Sequence, residues 1–71
     1  MRVYLVWANC LVDTCTVRWL VVAHGEREAW EKGWSLVRKC TVADEGAWDV
    51  KRISNAYEVT KYIQQGVRIC E

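Results

Sequence analysis

At 71 residues the chain has room for one domain, 1–71, and a domain this small buries only about 60% of its unfolded surface. Ten Lys and Arg against nine Asp and Glu leave a net charge of +1 with the signs interspersed. That balance lacks the basic patch of a generic nucleic-acid binder. No apolar run approaches the ~18 residues of a membrane span, and no charged stretch with an apolar core opens the chain, so a cytoplasmic protein without a membrane partner is predicted.

Arg2–Asn9 is rich in β-branched and aromatic residues and reads as a first strand. Val3, Leu5 and Trp7 share one face; Tyr4, Val6 and Ala8 share the other. Cys10–Asp13 carries weak turn chemistry, with Asn9 and Asp13 the residues that favour a turn. Thr14–Ala23 is a second strand, which makes an antiparallel hairpin of open register. Both of its faces are apolar. One helix covers one face, and the other, carrying Tyr4 and Val6 with residues of the second strand, is left for a partner.

His24-Gly25 ends the hairpin, and Glu26–Cys40 follows as an amphipathic helix. Ala29, Gly33, Leu36 and Cys40 form its apolar stripe with Trp30 and Val37 alongside. Glu26 and Glu28 open it and Arg38 and Lys39 close it, as the helix dipole favours. Gly33 costs about 1 kcal/mol against Ala inside a helix, which predicts close approach of the backbone to a sheet or a bulky ring. Trp34, at the stripe's edge, is the helix aromatic predicted to be exposed.

Thr41–Gly46 reads as a polar loop and Ala47–Ser54 as a third strand, with Trp48 and Val50 on one face. Ile53 departs from that alternation and suggests a bulge near Lys51-Arg52. Asn55 is placed as the cap of a second helix, with Glu58 completing a capping-box spacing and Gly66 as its stop. Val67–Cys70 reads as a short last strand. The prediction is an α+β domain of two layers in β-β-α-β-α-β order, its three- to four-stranded sheet packed by one main helix and a shorter second one.

Four cysteines, Cys10, Cys15, Cys40 and Cys70, are the candidate metal ligands. Cys10 and Cys15 sit at the loose end of zinc-knuckle spacing, whereas Cys40 and Cys70 are singletons. Without a secretory signal, reduced thiols and no cofactor are the default; a zinc-stabilised domain and a Cys10–Cys15 disulfide are alternatives. His24 is the only histidine, and no nucleophile elbow, phosphate-cradling loop or paired-histidine motif accompanies it, so no enzyme activity is expected. Five Trp exceed the needs of so small a core. Trp7, Trp30 and Trp48 are assigned to the core under the helix. Trp19 and Trp34 with Arg18 are candidates for a stacking and charge-pairing surface.

The openings R-V-Y-L-V, V-V-A and G-E-R-E-A-W-E-K within residues 2–36 resemble the first half of many short phage and prophage proteins, in which a hairpin leads into an E-x-E-A helix. The resemblance names no family and carries over no functional residue. It implies a small accessory protein that binds or inhibits without catalysis. The function expected is therefore a non-enzymatic, self-associating module, a homodimer or a partner of another protein, that works through Tyr4, Val6, Arg18, Trp19 and Trp34. The alternatives are a small-molecule or nucleotide binder that uses Trp and Arg, and the zinc-stabilised domain.

Overall fold

In the computed structural model, which describes residues 1–12 and 14–70, the elements are β1 (Arg2–Cys10), β2 (Thr16–Ala23), α1 (Glu26–Lys39), β3 (Ala43–Ile53), α2 (Ala56–Gln64) and β4 (Arg68–Cys70). Asp13, one of the two turn-favouring residues of the hairpin tip, lies outside the described residues. The strands form one sheet in the order β3-β1-β2-β4. β1 is antiparallel to both β2 and β3, and β4 runs parallel to β2. Fold class and element order are as expected from the sequence.

Register settles which face is which. Tyr4 lies opposite Val21, Val6 opposite Trp19 and Ala8 opposite Val17, while on the other side Val6 meets Val50 and Ala8 meets Trp48. Facing residues share a face, so this set forms one surface and α1 covers it. Val6, Ala8, Val21, Val37 and Ala43 make the main core, and Tyr4, Ala23 and Ala29 extend it. Tyr4 and Val6 retain only 3% and 0% of their accessible surface. The expectation that they occupy an uncovered face is thus reversed. Val3, Leu5 and Trp7 lie on the other face, and Trp7 is not under α1 as assigned.

That second face holds Leu5, Leu20 and Ile53, against which Val59 and Tyr62 of α2 and Val67 are packed. The connection from β3 to β4 has to cross two strands, and α2 makes the crossing there. α1 and the sheet form the two-layer body, and α2 adds partial cover on the opposite side. Ile53 belongs to this second core and pairs regularly with Val3, which is why it departs from the Trp48–Val50 pattern. The irregularity lies earlier, where Ala8 and Cys10 are matched by Trp48 and Ala43. β3 therefore begins at Ala43, inside the stretch expected to be a loop.

Gly33 is explained as the sequence predicted. A Cβ there would sit 3.0 Å from Trp48 Cζ3 and 3.2 Å from both γ-carbons of Val6. The two helices end differently. Gly25 caps α1 without a side-chain bond; instead Glu28 Oε2 accepts the His24 N–H at 3.3 Å. Lys32 Nζ donates to the Val22 carbonyl at 2.7 Å and lies 3.2 Å from Glu28 Oε1, which ties α1 to β2. Asn55 Oδ1 accepts from the Tyr57 N–H at 2.8 Å and caps α2. Gly66, with φ of 87°, closes that helix through Gly66 N–H to Ile63 and Val67 N–H to Tyr62, a Schellman motif.

Candidate interaction surface

One side of α1 and the strand beneath it bring together three of the five tryptophans. Trp30, Trp34 and Arg38 recur every fourth residue, so they line one stripe of the helix. β3 presents Trp48 to that stripe. Trp30 meets Trp48 edge-on with ring centroids 4.8 Å apart, and Trp34 stacks on Trp48 at 6.0 Å. Such pairs add about 0.5–1.5 kcal/mol beyond their burial. The Arg38 guanidinium lies 6.0 Å from the Trp34 ring centre, at the outer limit of a cation–π contact. Trp34 keeps 40% of its surface exposed, as the sequence predicted, so the row ends in an open aromatic face with a cation beside it.

Next to this row runs the open edge of β3. Among the described residues β3 has one strand neighbour, β1. The Cys10 N–H bonds to the Cys15 carbonyl, and groups alternate in direction along an antiparallel strand. Even-numbered residues of β1 therefore turn towards β2 and odd-numbered ones towards β3. Trp7, Leu5 and Val3 face Asp49, Lys51 and Ile53. Trp48, Val50 and Arg52 consequently turn their backbone N–H and C=O groups outward. Two carboxylates fold back on this edge: Asp49 Oδ1 accepts the Val50 N–H at 2.8 Å, and Asp44 Oδ1 accepts the Gly46 N–H at 2.9 Å. The Asp49 bond occupies the outward Val50 donor and blunts the edge there, one way in which a strand avoids indiscriminate pairing.

The site foreseen from sequence is dispersed. Arg18 and Trp19 are neighbours on β2 and so point to opposite faces. Arg18 lies on the α2 side, 3.5 Å from Gln65 Oε1. Trp19 is half-buried against the main core. Trp34 belongs to the β3 side of the molecule, and Tyr4 and Val6 are core. Of the five residues named, Trp34 alone falls in the surface described above. Its true companions are Trp30, Trp48 and Arg38. The repeat of four in Trp30, Trp34 and Arg38 was the signal that could have found them.

Among the described residues the four cysteines are not brought together. Cys10 and Cys15 form a disulfide with Cα atoms 5.5 Å apart, because they face each other across the hydrogen bond that closes the hairpin. Cys40 and Cys70 are separate, half-buried thiols. Among the described residues no group of three or more His, Cys, Asp or Glu side chains is placed to hold a metal ion. The reduced state expected of all four thiols gives way, at this pair, to a bond that is rare in a reducing cytosol. Among the described residues no helix is long and apolar enough to cross a membrane. Compared with known proteins, the chain matches no family model, no curated protein and no solved structure.

Proposed function

We propose that this chain is a non-catalytic protein-interaction module that takes up an extended polypeptide strand along the open edge of β3, beside the Trp34–Trp48 stack. The observation that carries this reading is the outward direction of the backbone groups of Trp48, Val50 and Arg52. An added strand gains main-chain hydrogen bonds there, while the neighbouring tryptophans supply an apolar wall and selectivity. Tyr4 and Val6, which the sequence places at the binding face, act instead as the floor on which α1 and Trp48 are held in place.

A photo-crosslinking side chain at Lys51, exposed on β3, tests the reading in expressing cells. Polypeptide adducts are expected at this position and not at Thr60, exposed on α2. In the isolated complex the amides of Trp48 and Arg52 should gain protection from exchange. Adducts that form equally well at Thr60, with no protection at Trp48 or Arg52, would overturn it. A second reading is favoured by Arg38 lying over Trp34: a planar, anionic ligand such as a nucleotide stacks on Trp34 and pairs with Arg38. Quenching of tryptophan fluorescence by nucleotides, lost in Trp34→Ala, would put that reading first.

A further inference from the structure

We propose that the strand received by β3 is the β3 of a second copy of this chain, paired antiparallel about a twofold axis at Val50. The inference rests on the edge-binding reading above and gives it a partner and a register. Its ground is the charge order along β3. Asp44, Glu45 and Asp49 precede Val50, and Lys51 and Arg52 follow it. Antiparallel pairing of a strand with itself lays the acidic half of one copy against the basic half of the other.

The direction of the backbone and the charges select the same register. With the axis at Val50, the outward groups of the two Val50 residues bond to each other reciprocally. Asp49 of each copy then faces Lys51 of the other on the α2 side of the sheet. Trp48 faces Arg52 on the α1 side, where a guanidinium over the indole adds a cation–π contact. Moving the axis by one residue puts Asp49 opposite Asp49 or Lys51 opposite Lys51, like charges that oppose pairing. Moving it to Trp48 keeps the charges matched but requires the stretch between Ala43 and Trp48 to pair regularly, and that is where β3 departs from register. The Val50 axis uses the regular part of the strand.

Association on this edge is an exchange. In the single chain Asp49 Oδ1 holds the Val50 N–H. In the pair the second copy's Val50 carbonyl replaces it, and the freed carboxylate meets the second copy's Lys51. The dimer is therefore concentration-dependent and specific rather than permanent, and the carboxylate guards the edge until its match arrives.

Sedimentation of the full chain over a roughly thousandfold concentration range tests this, with tryptophan fluorescence as the control for folding. Asp49 and Lys51 are exposed, so exchanging their charges leaves the core alone. Asp49→Lys and Lys51→Asp should each weaken the dimer about tenfold or more. The double variant should recover to within about threefold. Val50→Pro removes an outward donor without touching the β1 ladder and should abolish the dimer. A dimer indifferent to all of these changes overturns the β3 register and leaves strand binding intact. A monomer throughout whose Lys51 crosslinker captures a different protein overturns the second copy as partner but not the edge. A monomer without adducts at Lys51 removes both readings.

Discussion

The two faces of the sheet are covered by helices of very different grip. α1 runs for 14 residues and buries Ala29, Gly33 and Val37 completely or nearly so. α2 runs for nine residues and buries none; Tyr57 and Ile63 stay 75% and 46% exposed. Isolated helices below about 12–15 residues are marginal in water, so α2 depends on its ends, the Asn55 cap and the Gly66 stop, and on the few side chains it lays on Leu5, Leu20 and Ile53. The α1 helix is the more tightly packed of the two, although Leu20, Leu5 and Ile53 are buried on the α2 face as well. α2, with no buried residue, is therefore expected to open first in local unfolding. This division fits the proposed use of the molecule, because the Trp34–Trp48 row and the β3 edge are anchored on the tighter side.

The largest effect is expected of Gly33→Val. The added carbons would enter a space already closed by Trp48 and Val6, and overpacking of this kind costs up to about 3 kcal/mol. Global stability in a urea titration should fall by about that amount, with a changed Trp48 fluorescence environment. A loss within error of zero would show that α1 lifts off the sheet easily, and the two faces would no longer differ.

Much of the α1 side was legible because its signals are local and mutually consistent. Helical spacing, charge order at the helix ends and a glycine inside an apolar stripe point to one answer, and Gly33 named its own cause. Asn55 and Gly66 were legible for the same reason, since cap and stop chemistry acts within a few residues. What failed was non-local. Two apolar faces give no sign of which one a helix will choose, so the sequence alone puts Tyr4 and Val6 on the wrong side. Ile53 looked like a break in the pattern of one face because it serves the other, and the crossing of α2 that creates its core depends on strand order. Trp19 and Arg18 look like one site because they adjoin in sequence, although strand alternation separates neighbours.

On the weaker face, Asn55→Ala removes the bond to the Tyr57 N–H, and such caps are worth about 1 kcal/mol. That loss should be confined to α2. Amides of α2 should exchange roughly fivefold faster, while those of β1 and α1 hardly change. If Asn55→Ala lowers protection equally throughout, α2 is part of one cooperative core, and its exposed Tyr57 and Ile63 have misled.

The smallest effect concerns how α1 begins. Its cap residue offers no side chain; Glu28 instead ties the first turn back to the His24 N–H, just before the cap, and is held by Lys32. The Lys32 hydrogen bond, then the bond from the His24 backbone, lower the Glu28 carboxyl below its ordinary value of 4.5. A carboxyl with a depressed folded value binds its proton more readily in the unfolded chain. Its contribution is therefore complete above pH 4.5 and fades as the pH falls through the lower folded value. Glu28 is accessible to solvent, so the effect is local and screened by salt. An NMR titration should place its midpoint below 4.5, and Lys32→Met should move that midpoint upward. Lys32 also donates to the Val22 carbonyl, so the same variant should speed amide exchange in the first turn of α1. An unshifted midpoint would mean that the Glu28–Lys32 pair is loose in solution and that packing at Ala29 and Gly33, rather than the start of the helix, holds α1 to the sheet.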